Sequence, residues 1–304
     1  MEETNRRDER LLTVGYDYDA RERRPVGPCN LCGAHARSCV TERDRYGLPV
    51  RAVRCDRCSL VFLDPMLTPA EYADFYERWY RPLVSAFHGR RIDATTLPDD
   101  QRRYAASLVD WLAPLLGAAP PKRLLDVGGS TGIVAVALRD HFGLQATVLD
   151  PSPDELTVAA GAGLRTAAGF VEDFTPAPGE RYDLITVCQT ADHLLDLLGT
   201  LTHLRGLLSP EGRLFIDIVD FLAVARRHGQ LQTAIKLDHP YSLSDATLRC
   251  FLARAGLSVE ATRPAAEDHI AYLCRPGATD PDALPAPEVI ASVAQAWPTT
   301  PVEG

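Results

Sequence analysis

The sequence predicts an α/β protein with one seven-stranded sheet, whose last two strands form an antiparallel hairpin, and a small N-terminal module. Three observations carry this prediction. Apolar strand-like runs alternate with helical segments between residues 99 and 275. A glycine-rich turn at 128–132 joins the first of these runs to a helix, and two Cys-x₂-Cys pairs precede residue 60. Alternation of this kind is typical of parallel sheets, and such cysteine pairs are typical of metal modules.

The composition narrows the class of protein. The chain has 304 residues, 46% of them apolar, which is enough for a large domain with an appendage. Its net charge of −9 argues against a nucleic-acid partner, because phosphate backbones are held by clustered Lys and Arg. Residues 1–25 are charged without apolar periodicity, so we expect a mobile or loosely docked N-terminus and no signal peptide. No apolar run approaches the ~20 residues of a membrane span, and we expect a cytoplasmic protein without membrane contact.

The N-terminal module is predicted over residues 26–66. Cys29 and Cys32 form one Cys-x₂-Cys pair, and Cys55 and Cys58 form a second pair after 22 intervening residues. Two such turns can bring four thiolates to one tetrahedral zinc ion, which predicts a zinc ribbon. Four thiolates leave no open position for water, so the predicted Zn²⁺ is structural. The alternative is four buried cysteines without a metal.

An aromatic helix and a connecting loop are predicted over residues 67–98. Thr68 is a predicted N-cap, followed by Pro69 at the first helical position and Glu71 three residues after the cap. Tyr, Phe and Trp side chains recur on the helix at helical spacing. We expect most of these rings to pack the ribbon onto the main domain, and one or two tyrosines to overhang an active site.

The domain over residues 99–275 begins with a helix and then alternates strands and helices. The predicted strands are 124–127, 146–150, 165–168, 183–188, 212–219, 257–263 and 269–275. No helix separates the last two, so they should pair as a hairpin. Residues 220–243 interrupt the alternation. A proline-rich tail follows over 276–304, with one docked or free helix.

The turn at 128–132 is the first chemical signal in this domain. A strand, a glycine turn and a helix in this order direct free N–H groups and the positive helix end at a ligand above the turn. Asp150 closes the next strand about twenty residues later, where a carboxylate can accept hydrogen bonds from ribose hydroxyls. The two features predict a nucleoside-containing cofactor.

Together these residues resemble the class I S-adenosylmethionine-dependent methyltransferases, over about residues 100–275. The motif of that family is D-x-G-x-G-x-G, matched here by Asp126, Gly128 and Gly132, with Ser130 in place of the middle glycine. The resemblance implies a Rossmann-like sheet and S-adenosyl-L-methionine as cofactor. It also implies that the turn, including Gly129, contacts the methionine part of the cofactor, and that Asp150 and Pro151 contact the ribose. Glu172 and Asp173 would contact the adenine, and Gln189 would face the cofactor from the end of strand four.

The order of zinc ribbon, aromatic helix and methyltransferase domain is similar to that of nucleotide-sugar C-methyltransferases. In that family an acidic residue and a histidine after strand four, with a tyrosine from the N-terminal part, handle a proton. Asp192 and His193 match the pair, and Tyr76 or Tyr80 matches the tyrosine. The resemblance implies a small-molecule substrate, including a nucleotide-linked sugar.

Two histidines are candidates for the base. His193 follows strand four at the carboxyl edge of the sheet, where ligands bind in such folds. His239 lies in the interrupting segment, a usual place for a substrate lid. We therefore expect methyl transfer to a carbon or hydroxyl of a small, sugar-like biosynthetic intermediate, with His193 as general base. The alternatives are an rRNA base methyltransferase and a non-catalytic zinc-bearing interaction protein with a degenerate cofactor pocket.

Overall fold

The computed structural model describes residues 2–92, 98–229, 231–266, 268–296 and 300–301. The N-terminal part contains α1 (Glu2–Val14), β1 (Arg23–Arg24), β2 (Arg37–Thr41), β3 (Ala52–Cys55), β4 (Val61–Leu63), β5 (Met66–Leu67), α2 (Pro69–Asp74), α3 (Tyr80–His88) and α4 (Pro98–Leu116). A π-helical turn, Phe75–Trp79, joins α2 to α3. As predicted, the Thr68 side chain caps α2 by accepting a hydrogen bond from the backbone N–H of Glu71.

The remaining elements alternate as the sequence predicts. They are β6 (Arg123–Val127), α5 (Ile133–Phe142), β7 (Gln145–Asp150), α6 (Pro153–Gly161), β8 (Arg165–Ala168), β9 (Tyr182–Val187), α7 (Leu197–Leu207), β10 (Leu208–Val219), α8 (Phe221–His228), β11 (Tyr241–Ser242), α9 (Asp245–Arg254), β12 (Leu257–Ala266), β13 (His269–Pro276), α10 (Pro287–Ala296) and β14 (Thr300–Pro301). Short 3₁₀ turns lie at Ala191–His193 and Leu231–Ala234.

The main sheet has the order β12-β13-β10-β9-β6-β7-β8 within the described residues. Strands β6 to β10 run parallel, while β13 is antiparallel to both β10 and β12. This confirms the seven-stranded Rossmann-like sheet with its terminal hairpin. From β6 the chain proceeds to β7 and β8 on one side and to β9 and β10 on the other. The crevice at the carboxyl ends of β6 and β9 is therefore the topological switch point, where ligands bind in open α/β sheets.

A second sheet joins the cysteine module to the main domain. Its order is β11-β4-β3-β2-β14. Strand β11 belongs to the segment 220–243 that interrupts the alternation, yet it pairs with β4 of the module, through Tyr241 opposite Phe62. One hydrophobic core includes Phe62 in the module and Leu201 on α7. The module therefore shares both a sheet and a hydrophobic core with the main domain.

The N-terminus differs from the predicted mobile segment. Residues 2–14 form α1, which packs against α3, and Leu11 on its inner face is only 9% exposed. Arg10 donates a hydrogen bond from Nε to the carbonyl of Ala86 at 2.8 Å. Arg21 lies over the rings of Tyr16 and Trp79. The charged residues that suggested mobility instead dock through cation–π and carbonyl contacts, which leave no apolar period in the sequence.

The connecting loop is also shorter than predicted. Helix α3 continues to His88 and ends at Gly89, whose φ of 65° is left-handed. Residues 93–97 of the predicted loop, and 297–299 and 302–304 of the predicted tail, lie outside the described residues. The tail helix α10 is docked, with Val293 4% exposed. Among the described residues, no helix has the length and apolarity that crossing a membrane requires.

Candidate functional site

The turn after β6 needs its glycines for space as well as for conformation. Gly128 and Gly132 have φ of 66° and 78°, in the left-handed region that glycine favours. A Cβ on Gly128 would lie 2.6 Å from the hydroxyl of Thr190, and one on Gly132 would lie 2.4 Å from Leu164. Ser130 has a φ of 52°, so the residue that departs from the motif still adopts the turn conformation.

Asp126 lies beneath this turn with one oxygen unpaired. The hydroxyl of Thr186 donates to its Oδ1 at 2.7 Å, whereas its Oδ2 is buried and has no hydrogen-bond partner among the described residues. A Cβ on Gly129 would lie 2.5 Å from this Oδ2. Burial raises the pKa of Asp126 to about 7. An unpaired buried acceptor under a glycine cradle fits a ligand that brings a positive charge or an N–H group.

Asp150 connects the turn to the next helix. Its Oδ2 accepts from the N–H of Ser130 at 2.9 Å, and its Oδ1 accepts from the N–H of Ser152 at 2.8 Å. Burial raises the pKa of Asp150, although the two backbone hydrogen bonds act in the opposite direction and lower it. Each carboxylate oxygen keeps a second lone pair, which could accept from a ribose hydroxyl. Pro151, exposed beside it, leads into Ser152, the N-cap of α6.

The other predicted cofactor residues lie at the same sheet edge. Glu172 and Asp173 are exposed after β8, and Glu172 Oε1 accepts from the N–H of Leu195 at 3.4 Å. Gln189 is exposed after β9 with a φ of 48°, and its N–H donates to Asp217 at 2.6 Å. The structure brings these residues to the switch-point crevice, while their roles toward a cofactor remain predictions.

The tautomer of His193 is fixed by the segment 220–243, which interrupts the alternation. Its Nδ1 lies 2.7 Å from the backbone carbonyl of Asp238. A carbonyl carries no proton, so Nδ1–H must be the donor. The Tyr76 hydroxyl donates to the same carbonyl at 3.0 Å and lies 2.8 Å from Nδ1. In the neutral ring, Nε2 therefore carries the lone pair that can accept a proton.

His239 has both ring nitrogens engaged. Its Nδ1 lies 2.7 Å from Asp192 Oδ2, and its Nε2 lies 3.2 Å from Lys236 Nζ. Burial alone would raise the pKa of Asp192, but the charges of His239, His193 and Lys236 outweigh burial and lower it. Burial lowers the pKa of both His239 and Lys236. Because its nitrogens already have partners, His239 is a weaker candidate for the base than His193.

The donor atoms of Asp192, His193 and His239 lie within 4.8 Å of one another, as in sites for divalent cations. Two observations favour a proton-handling cluster over a metal site. Both ring nitrogens of His239 are already engaged, Nδ1 with Asp192 and Nε2 with Lys236. The Lys236 ammonium beside His239 adds a positive charge that a cation would oppose.

The aromatic helix reaches this cluster through its π-helical turn. The N–H of Tyr80 bonds to the carbonyl of Phe75, five residues earlier. This wider turn leaves Tyr76 and Tyr80 on one face, with ring centroids 5.7 Å and 6.4 Å from that of His193. π-helical turns are frequent at functional sites. Arg81 then pairs with Glu155 of α6 at 3.0 Å, so this helix also borders the cofactor side.

The four module cysteines converge as predicted. Their Sγ atoms lie within 4.8 Å of one another, with Cys29 to Cys58 at 3.6 Å and Cys32 to Cys55 at 3.5 Å. A tetrahedron with Zn–S bonds of about 2.3 Å has S···S edges of about 3.8 Å, close to these spacings. Each pair is followed by a residue of positive φ, which turns the chain back toward the cluster: Gly33 at 73° and Ser59 at 60°.

Several residues that support the Asp192–His193–His239 cluster had not been predicted. Asp44, fully buried, accepts backbone hydrogen bonds from Tyr46 and Leu48 and, across the interface, from Leu237. The Tyr46 hydroxyl donates to Asp238 at 3.3 Å. These contacts hold the segment that carries Lys236, Asp238 and His239. No spacing rule connects residues nearly 200 positions apart, so single-sequence reasoning had no signal for them.

Comparisons with known proteins agree with this geometry. Residues 99–262 match a family model described as a methyltransferase domain. A ubiquinone biosynthesis O-methyltransferase of Xylella fastidiosa is 27% identical over 204 residues, covering 62% of this chain and 77% of that protein. Its counterpart in Aeromonas salmonicida is 26% identical over 118 residues, covering 37% and 49% of the two chains.

Solved structures share the fold. Magnesium protoporphyrin IX methyltransferase from Synechocystis PCC 6803, with bound S-adenosylhomocysteine, aligns with a TM-score of 0.50 at 16% identity, covering 68% of this chain and 100% of that one. The mitomycin 7-O-methyltransferase aligns with a TM-score of 0.51 at 19% identity, covering 68% and 60%. The glycine cradle, the unpaired carboxylate beneath it and the family match lead to one conclusion: this chain belongs to the methyltransferase domain family and is an S-adenosylmethionine-dependent methyltransferase.

Proposed function

We propose that the enzyme methylates a hydroxyl or carbon of a small, sugar-like biosynthetic intermediate, with His193 as general base. The observation that carries the proposal is the fixed tautomer of His193, whose Nδ1–H donates to the Asp238 carbonyl. A hydroxyl or an acidic C–H must lose a proton when it is methylated, and Nε2 of His193 is the nitrogen able to take it. The curated relatives are named as O-methyltransferases, which supports a hydroxyl acceptor.

S-adenosylmethionine supplies the methyl group on a sulfonium, so the leaving group is already activated. The protein then has to hold the acceptor in line and exclude water. Asp126, Ser130 and Gly132 would border the methionine part, and Asp150 the ribose. Tyr76 and Tyr80 close one side of the cluster, with the Tyr76 hydroxyl donating to the Asp238 carbonyl.

The neighbouring groups position His193 and His239. The Tyr76 hydroxyl and the Asp238 carbonyl hold the His193 ring in one orientation. Asp192 holds His239, which lines a cavity beside the cluster and is placed to contact the acceptor. We also propose that the cysteine cluster binds one structural Zn²⁺, because the four thiolates match a tetrahedral site and leave no open position.

The base assignment is tested with His193→Gln. We expect kcat to fall by about a hundredfold or more, the usual contribution of a positioned base, while the Kd for S-adenosylmethionine measured by calorimetry stays unchanged. His141→Gln, an exposed histidine on α5, is the matched control and should retain turnover. Full turnover by the His193 variant would exclude this base.

The acceptor class is tested by a mass-spectrometric screen. Purified enzyme and S-adenosylmethionine are incubated with nucleotide sugars, free sugars, hydroxylated small molecules and total RNA in parallel. Methylation of a small molecule supports the proposal, and the nucleotide-sugar arm tests the nucleotide-linked acceptor implied by the family resemblance. Methylation confined to RNA would overturn it in favour of an RNA acceptor.

A further inference from the structure

A cavity of about 150 Å³ lies beside the proposed base cluster, at the carboxyl ends of β9 and β10. Asp192 and His239 line one side of it, and Val219 and Phe221 line another. Arg45, which comes from the cysteine module, also lines the cavity. The cavity is therefore formed jointly by the module and the main domain.

The cations around this cavity are paired unequally. Its lining has three basic residues, Arg45, Arg227 and Lys236. Arg227 pairs with Asp268 at 2.7 Å. Burial lowers the pKa of Lys236, whereas the charges of Asp238 and Asp192 act on Lys236 and raise it. Arg45 is left without a carboxylate partner among the described residues.

Arg45 is held in place without a carboxylate partner. Its backbone N–H donates to the carbonyl of Ile235 at 2.9 Å, and its guanidinium carbon lies 3.8 Å from the centroid of the Phe87 ring. Within the described residues no carboxylate lies within 4.0 Å of its guanidinium, and its Nε is buried without a hydrogen-bond partner. Burial together with the charges of Arg45, Arg90 and Lys236 lowers the pKa of nearby His88. An oriented guanidinium with free donors at the wall of a cavity is a ready site for an anion.

The size of the cavity limits what enters it. Cavities of about 150 Å³ are large enough for one six-membered ring. A ring with one small substituent fits, whereas a whole nucleotide would have to extend outside.

We infer that the methyl acceptor carries a small anionic group, a carboxylate or a phosphate on a single ring, which Arg45 binds in this cavity. Arg45 thereby selects the acceptor, so the cysteine module contributes to specificity. The flat fork of the guanidinium matches two oxygens of a carboxylate or phosphate, and the Lys236 ammonium adds a second positive charge. This inference rests on the proposed function and deepens it, since it concerns the acceptor of the same site.

The test measures binding, so it does not depend on turnover. The full-length enzyme is titrated by calorimetry with glucuronate and 4-hydroxybenzoate, with their neutral amides, and with glucose 6-phosphate beside glucose. We expect each anion to bind about tenfold tighter or more than its neutral counterpart, as for a charge-assisted hydrogen bond. The preferred anion identifies carboxylate or phosphate. Equal binding of anions and neutral probes, or no binding of any anion, overturns the inference.

Three variants assign the preference to Arg45. Arg45→Met should lose it, whereas Arg43→Met, an exposed arginine two residues earlier, should keep it. Phe87→Leu removes the ring beneath the guanidinium but leaves the charge, and should keep most of the preference. A preference retained by Arg45→Met would overturn the assignment to Arg45. His193→Gln should keep the preference while losing turnover, which separates this inference from the base assignment.

Discussion

The two halves of the active site are built at very different distances along the chain. In the cofactor half, the turn at 128–132 and Asp150 lie on consecutive strands, and Ser130 and Asp150 bond across 20 residues. In the acceptor half, formed by the cysteine module, the aromatic helix and segment 220–243, Tyr76 meets His193 across 117 residues and Tyr46 meets Asp238 across 192. The proposed cofactor half is thus a local cradle, while the proposed acceptor half is assembled from distant segments. The acceptor half can therefore change without disturbing the cradle.

The largest expected effect separates these halves through the cysteine cluster. If the cluster binds zinc as proposed, Cys58→Ser should lose that ion, measured by elemental mass spectrometry, and with it a contribution on the order of 10 kcal/mol to module folding. We expect turnover to be lost and hydrogen exchange to rise in residues 29–63 and 232–242. Exchange in β6 and β7 should change less, because these strands are held within the main sheet.

The matched control is Cys39→Ser, on β2 of the same module, whose Sγ lies 3.1 Å from Glu42 rather than in the cluster. It should keep one zinc per chain and normal exchange. Uniform unfolding of both halves in Cys58→Ser would show that they form one cooperative unit.

The same contrast explains how much could be predicted from the sequence. The alternation of strands and helices, the terminal hairpin and the cap at Thr68 depend on local patterns, and the structure has them. The spacing of the four cysteines also predicts that they converge, as they do in the structure. The hydrogen bond from the Leu237 N–H to Asp44 has no local sequence signal, because the two residues meet only in the folded chain. The docking of α1 was missed for a similar reason, because Arg10 and Arg7 contact the Ala86 carbonyl and the Phe87 ring and add no apolar stripe to the sequence.

The next largest effect concerns the unpaired carboxyl of the cofactor half. Burial raises the pKa of Asp126 to about 7, above its unfolded value of about 3.9. The folded apo protein therefore retains a proton that the unfolded chain releases, and its free energy of unfolding should fall as pH rises from about 4 to about 7. Asp126→Asn should lack this fall, with a difference of at most about 4 kcal/mol between pH 4 and pH 8.

Urea unfolding of the two proteins across this pH range measures the difference. Asp140→Asn, on the surface of α5, should show the same pH dependence as the wild type. Parallel curves for wild type and Asp126→Asn would contradict the raised pKa.

A smaller effect tests whether the glycines of the cradle are needed for space. Gly132 and Gly143 flank α5 with similar φ, 78° and 69°. A Cβ on Gly132 would meet Leu164 at 2.4 Å, while one on Gly143 would meet nothing within 4 Å. Gly143→Ala should cost about 1–2 kcal/mol of stability for the left-handed backbone alone, and Gly132→Ala about 1–3 kcal/mol more for overpacking.

Denaturant unfolding checks this order, and calorimetry should show weaker binding of S-adenosylmethionine only in Gly132→Ala. An equal loss of stability in the two variants would mean that Leu164 and the other neighbours of the turn shift without an energetic penalty.

The smallest expected effect lies in the acceptor half and compares Tyr72, which is buried, with Tyr76, which is half-buried. The Tyr72 hydroxyl donates to the Leu237 carbonyl at 3.3 Å, and the Tyr76 hydroxyl donates to the Asp238 carbonyl at 3.0 Å while touching His193. Each Phe variant loses one hydrogen bond to a backbone carbonyl, so both should be destabilised by a similar amount, about 1 kcal/mol. Only Tyr76→Phe should lower kcat, by about fivefold, because only this hydroxyl helps to hold the ring of His193. Measuring kcat and the free energy of unfolding on both variants separates the two roles. A matching loss of kcat in Tyr72→Phe would show that general packing of the aromatic helix, and not the contact with His193, supports turnover.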